Sequence, residues 1–124
     1  MTKKKVLIVE DEAIAALGLE VLVESWGYET CESASSGEEA IEKAEACSPD
    51  IILMDVSLGG EMDGIEAANV IRSRKPVPVI FISGYSDEAT KKRAGSFEEV
   101  EYIEKPVNFD ELERKLDDLL NPGR

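Results

Sequence analysis

Histidine is absent from this chain of 124 residues. Its absence excludes His-based general acid–base chemistry, a Ser–His catalytic pair and His-ligated zinc. Any phosphohistidine in the protein's chemistry must therefore sit on another molecule. Cysteine is scarce: Cys31 and Cys47 form no CxxC pair and no metal-ligand cluster, and they are expected to be two buried thiols. Positive charge is also short. The 14 Lys and Arg stand against 27 Asp and Glu, a formal charge of −13, which repels phosphate backbones and argues against direct nucleic-acid binding. No apolar run approaches the ~20 residues that cross a bilayer. The basic start Met1-Thr2-Lys3-Lys4-Lys5 leads into an apolar run too short for a signal peptide. A soluble, cytoplasmic chain without a membrane partner is expected.

The chain does have enough apolar residues, 43%, for one ordinary hydrophobic core. A single domain over residues 1–124 is expected, with no room for an effector domain after the last helix. Three runs, Val6-Leu7-Ile8-Val9, Ile51-Ile52-Leu53-Met54 and Val79-Ile80-Phe81-Ile82, are continuously apolar, as in strands buried on both faces. Tyr28 to Glu32 and Val100 to Ile103 read as shorter strands. Between them lie helical segments. Residues 12 to 26 carry Ile14, Leu17, Val21 and Leu22 at helical spacing, and Gly27 stops the helix. Ser36-Gly37-Glu38-Glu39 caps a second helix with Ala40, Ile41 and Ala44. A third carries Ile65, Ala68 and Ile71. Ser86 or Asp87 opens a sparse fourth helix to about Ala94. Asn108-Phe109-Asp110-Glu111 caps a fifth, lined by Leu112, Leu116, Leu119 and Leu120. The order is (βα)5. Parallel strands need right-handed crossovers that cover both faces, so a five-stranded, doubly wound parallel sheet is expected, a flavodoxin-like three-layer α/β sandwich.

In such sheets ligands bind beyond the carboxyl ends of the strands. The ends here are Glu10-Asp11, Asp55, Ser83 and Lys105-Pro106. Two carboxylates about 5 Å apart repel by ~3 kcal/mol at an effective dielectric near 20. Three would raise one another's pKa values unless a cation compensates. Lys105 supplies one positive charge and Mg2+ would supply two, with oxygen ligands that suit it. Asp55 can then act as a nucleophile toward phosphorus, giving an aspartyl phosphate, while Ser83 and Lys105 address the other phosphoryl oxygens. Alone, each of these pieces reads as a helix start, a turn or a surface lysine. All four at strand ends, in this chain order, make the set specific.

The set resembles the receiver domain of two-component response regulators, of the stand-alone, CheY-like kind, over essentially the whole chain. The resemblance rests on Val9-Glu10-Asp11-Glu12, Leu53-Met54-Asp55, Asp63-Gly64-Ile65-Glu66, Phe81-Ile82-Ser83-Gly84 and Tyr102-Ile103-Glu104-Lys105-Pro106. It implies that Asp55 is the phosphoacceptor. Asp11 is then a direct metal ligand, Glu10 a ligand through water, and the backbone carbonyl of Ser57 a further ligand. Ser83 matches the family's Ser/Thr, Tyr102 its aromatic switch residue, and Lys105 its lysine, whose bond to the following proline is typically cis. Three positions depart from the family's pattern. Gly59-Gly60 stands where a proline is common, in a loop one residue longer than usual. Gly84 replaces an alanine. Ser57 and Tyr85 occupy positions that tune dephosphorylation.

The resemblance implies a phosphoacceptor signalling module of a two-component phosphorelay, not an enzyme in the ordinary sense. The phosphoryl group would come from a sensor histidine kinase or a histidine phosphotransfer protein. Phosphorylation would switch the surface of the fourth helix, fifth strand and fifth helix toward a downstream protein or a phosphorylation-dependent dimer. Two other readings compete. One is an interaction module that works without phosphorylation. The other is an Asp-nucleophile phosphohydrolase, disfavoured because Ser57 stands where such enzymes carry a second acid.

Overall fold

The computed structural model describes residues 3–84, 92–93 and 99–122. Its elements are β1 (Lys5–Val9), α1 (Ala13–Ser25), β2 (Glu29–Thr30), α2 (Gly37–Cys47), β3 (Ile51–Asp55), α3 (Gly64–Arg74), β4 (Val79–Ser83), β5 (Val100–Glu104) and α4 (Phe109–Leu120). The strands form one parallel sheet in the order β2-β1-β3-β4-β5. This is the doubly wound, flavodoxin-like arrangement the (βα) order dictates. The fourth helix expected from Ser86 or Asp87 to Ala94 lies outside the described residues, apart from Lys92 and Arg93, which are helical.

Strand side chains alternate between two cores. Leu7, Val9, Ile52, Met54, Val79 and Phe81 pack against the side bearing α2 and α3. Val6, Ile8, Ile51, Leu53, Ile80 and Ile82 pack against the side bearing α1 and α4. Both faces of β1, β3 and β4 are thus dry, which explains their unbroken apolar runs. Local signals start the helices where expected. The Ser36 hydroxyl accepts the Glu39 N–H at 3.1 Å, and Asn108 Oδ1 accepts the Glu111 N–H at 3.0 Å. At α3, Asp63 and Glu66 form a full reciprocal capping box, with bonds of 2.9 and 3.1 Å. α4 buries Leu112, Leu116 and Leu120, as their spacing predicts. Its Lys115 also reaches back to β5, donating to the Tyr102 carbonyl at 2.7 Å and pairing with Glu101 at 3.3 Å.

The helix expected over residues 12 to 26 forms, but the spacing of Ile14, Leu17 and Val21 does not mark its buried face: these side chains are 88%, 59% and 60% exposed. α1 buries Ala16 and Val23, with Leu19 and Trp26 packed partly against the sheet. Positions 16, 19, 23 and 26 are also helically spaced, so α1 carries two apolar stripes, and periodicity alone does not choose between them. One expectation is corrected, that of Cys31 and Cys47. They are not free thiols but are joined in a disulfide, with Cα atoms 6.1 Å apart. The edge strand β2 and the last turn of α2 run past each other here, which brings residues 16 apart in sequence together. β2 itself is shorter than expected, only Glu29–Thr30, and is extended by an isolated parallel bridge between Val9 and Ala34.

Candidate functional site

Strand register builds the site. Val9 pairs with Met54, so Glu10 and Asp55 leave adjacent strands side by side. Asp55 pairs with Ile82, which puts Ser83 one step beyond it, and Ser83 pairs with Glu104, which puts Lys105 one step further. The ladder continues past the strand ends: Val56 N–H donates to the Ile82 carbonyl at 3.0 Å and Lys105 N–H to the Ser83 carbonyl at 2.8 Å. Parallel pairing with a one-residue stagger therefore lines up four distant segments. The crevice they share lies between β1 and β3, where the strand order reverses.

Carboxylate oxygens of Glu10, Asp11 and Asp55 all lie within 4.8 Å of one another. Glu10, Asp55 and Ser83 are the buried polar residues among those described, at 7%, 4% and 6% exposure, whereas Asp11 is open to solvent. One Asp55 oxygen accepts the Lys105 ammonium at 3.2 Å, and the other accepts the Ser57 N–H at 3.1 Å. The peptide bond between Lys105 and Pro106 is cis. The crowding shows in the titration of Glu10. Burial, a hydrogen bond to Asp55 and the charges of Asp55 and Asp11 push its carboxyl from 4.5 to about 8, with Lys105 acting in the opposite direction. Partial burial pulls the Lys105 ammonium down, but its bond to Asp55 and the fields of Asp55, Glu10 and Asp11 outweigh this and raise it. Burial first, and then neighbouring carboxylates that the one lysine does not offset, favour the protonated form of Glu10. A hard divalent cation with oxygen ligands fits that donor set.

Glycines shape the loop after β3. A Cβ on Gly64 would stand 2.1 Å from the Asp55 carbonyl oxygen, so α3 starts against the backbone of β3 and only glycine fits. Gly60 has φ of +98°, and a Cβ on Gly59 would lie 3.7 Å from an Asp11 carboxylate oxygen. The Gly59-Gly60 loop is held on both sides, because Leu58 and Met62 pack against the core and Met62 lies against Gly37 at the start of α2. The site also has a wall that the sequence reading missed. The Ala34 carbonyl accepts the Glu10 N–H at 3.0 Å. Ser33, Ala34, Ser35 and Glu39 line a cleft of about 380 Å3 with Glu10 and Asp11. A backbone acceptor of this kind leaves no mark on side-chain pattern.

Tyr102 stacks on Phe81 with ring centroids 5.7 Å apart, on the α2–α3 side of the sheet. Burial and the neighbouring Glu101 raise its hydroxyl pKa. Tyr85 lies outside the described residues. Arg93 pairs with the α3 cap Asp63 at 2.6 Å. On the opposite side of Asp55 opens a mostly apolar groove of about 660 Å3 between α1 and the start of α4. Val21, Leu22, Pro106, Val107 and the exposed Phe109 line it, with Asp55 and Lys105 at one end.

Comparison with known proteins places these features. The sequence family described as response regulator receiver domain matches residues 6–117. Transcriptional regulatory protein PdtaR of Mycobacterium tuberculosis is 35% identical over 109 residues, which is 88% of this chain and 53% of that protein. Protein-glutamate methylesterase/protein-glutamine glutaminase of Pyrococcus horikoshii is 35% identical over 122 residues, 92% of this chain and 33% of that protein. The chain therefore spans about half or less of the length of these curated relatives. The crystal structure of the signal receiver domain of a modulated diguanylate cyclase from Desulfovibrio desulfuricans is 37% identical. It superposes with a TM-score of 0.85 over 95% of this chain and 94% of its own.

Proposed function

The chain belongs to the response regulator receiver family, and from that premise we propose that it is a phosphoacceptor of a two-component relay, with Asp55 the residue modified. The observation that carries this reading is the meeting of three carboxylates within 4.8 Å, one of them bonded to Lys105 at 3.2 Å. Glu10, Asp11, Asp55 and the backbone carbonyl of Ser57 would hold Mg2+, which would neutralise charge on the incoming phosphoryl group. The Lys105 ammonium, bonded to one Asp55 oxygen at 3.2 Å, orients that carboxylate before reaction. An Asp55 carboxylate oxygen attacks phosphorus, the bond from phosphorus to the donor's histidine nitrogen breaks, and the nitrogen keeps the electron pair. The Ser57 N–H and the Ser83 hydroxyl are the donors placed to meet the new phosphoryl oxygens.

The donor is a sensor histidine kinase or a histidine phosphotransfer protein, since the chain has no histidine of its own. It docks on the outer face of α1 and the groove beside Asp55: Val21 and Phe109 of the groove and the exposed Ile14 and Leu17 on the same helix offer apolar contact. Output follows from Ser83 drawing on the segment after β4, with Tyr102 repacking against Phe81 and the β5–α4 surface changing. The domain acts in the cytoplasm as a signalling acceptor whose only catalysis is its own phosphorylation and slow dephosphorylation. Incubation with acetyl phosphate and Mg2+ tests the reading: wild-type protein gains one phosphoryl group and Asp55→Asn gains none. Equal labelling of the variant would contradict it.

A further inference from the structure

We propose that the Cys31–Cys47 disulfide is a thiol–disulfide exchange site, and that its oxidation state sets how firmly the β2–α2 wall of the acidic crevice is held and so how readily Asp55 accepts a phosphoryl group. The proposal rests on the phosphoacceptor reading, for the labelling it would change and for the reducing surroundings in which the bond would exchange. The bond closes a ring that contains residues 32–36 and all of α2 except its last residue, Cys47. That ring leans on β1 at three levels. Cys31 N–H donates to the Val6 carbonyl at 3.0 Å, Ala34 N–H donates to the Ile8 carbonyl at 3.0 Å, and the Ala34 carbonyl accepts from Glu10 at 3.0 Å. The last of these contacts touches the acidic cluster itself. β2 offers little other support, since it is a two-residue edge strand. The covalent tie acts together with these bonds and with the core packing of Ala34, Ala40, Ile41 and Ala44 to hold the wall that faces Glu10 and Asp11.

The two sulfurs are unequally placed. Cys31 is buried in the α2–α3 core, whereas Cys47 ends α2 and is half-buried. The Lys5 ammonium donates to the Cys47 carbonyl at 3.2 Å, so a cation stands beside the more open cysteine. A dithiol reductant would attack Cys47 as a thiolate and form a mixed disulfide, and Cys31 would leave as a thiolate and take up a proton. The reductant's second thiol then closes its own disulfide and releases Cys47, which is protonated in turn. The protein gains two electrons and two protons, and the dithiol loses the same. A kinase-fed acceptor works among reducing thiols, where a protein disulfide is more often a redox-sensing bond than a permanent staple.

The test compares oxidised and dithiothreitol-reduced protein under native conditions, together with the Cys31→Ser/Cys47→Ser double variant. Alkylation and intact mass report the thiols, circular dichroism the fold, and acetyl phosphate the labelling of Asp55. The expected result is that both thiols become alkylatable with the fold retained. Labelling rates of the two forms should differ by about threefold or more, the range in which changes that touch neither ligand shift coupling. The double variant should match reduced protein and ignore reductant. If the variant does not fold, the reduced wild type carries the comparison. Reduction only after the fold melts, or equal labelling of both forms, overturns the proposal. If neither form is labelled, the phosphoacceptor reading has failed instead. Amide shifts of Glu10, Asp11 and Ala34 then decide the redox claim: movement on reduction supports it and unchanged shifts overturn it.

Discussion

α1 and α4 cover the same face of the sheet, and both read as amphipathic helices, yet they use their apolar residues in opposite ways. α4 puts Leu112, Leu116 and Leu120 into the core and leaves acids outside. α1 seals the core with Ala16, Val23 and partly buried neighbours, and presents Ile14, Leu17 and Val21 to solvent. The difference separates two demands on a hydrophobic side chain. In α4 it contributes to folding. In α1 the surplus stays on the surface, with Val21 at the groove that reaches Asp55 and Lys105, where an isolated molecule gains nothing from it. The docking proposed above would use these exposed side chains.

The comparison breaks if the two helices respond alike to truncation. Leu116→Ala in α4 should lower stability by about 3 kcal/mol, because a fully buried leucine leaves a cavity. Leu17→Ala in α1 should change it by no more than about 0.5 kcal/mol. Urea denaturation of both variants checks the pair, and a comparable loss in α1 would mean that its outer stripe is structural after all.

Function should reverse the ranking. Replacing Ile14 and Leu17 together by Ser should slow phosphotransfer from a histidine phosphotransfer protein by about tenfold, the loss of ~1.4 kcal/mol of docking energy. Labelling by acetyl phosphate, which needs no docking, should be unchanged in the same variant. Parallel loss with both donors would locate the defect in the crevice rather than on α1.

A smaller effect sharpens the contrast between the apolar helices and the charged crevice they flank. Glu10 titrates near 4.5 when unperturbed and is pushed up to about 8 in the folded chain. Between these values the folded state holds a proton that the unfolded chain has released. Without divalent cation, the Glu10 contribution to stability is therefore full below about 4.5 and is lost as pH rises toward 8, a slope that wild type should show relative to Glu10→Gln. Millimolar Mg2+ should flatten or reverse the slope, because the cation replaces the proton. Thermal melts of both proteins across this range with and without Mg2+ read the sign directly, and a metal-free wild-type stability that climbs with pH relative to the variant would contradict the arrangement.

Much of this was legible in the chain because parallel β/α units carry strong local signals. The unbroken apolar runs marked the strands buried on both faces. Ser36 and Asn108 marked helix starts, and the polar residue ending each run marked the crevice; the capping box of Asp63 and Glu66 was not read. The face that α1 buries was not legible, since two stripes of equal spacing compete and only tertiary packing chooses between them. The pairing of Cys31 with Cys47 was missed for a related reason: it depends on how far an edge strand and a helix end slide past each other, which spacing does not encode. The role of Ala34 was also invisible, because it acts through its carbonyl. Gly64 lies in the motif that carries the family resemblance, but the reason for it, a carbonyl that leaves no room for a Cβ, is visible only in three dimensions.

The account stands on the crevice holding a cation and an acceptor together, and amide NMR with Mg2+ and then beryllofluoride tests this most directly. Mg2+ should give saturable shifts centred on Glu10, Asp11, Asp55 and Ser57, and beryllofluoride should extend them to Ser83, Tyr102 and Lys105. Saturable shifts elsewhere with none at Glu10, Asp11 and Asp55, or no response to either addition, would contradict it.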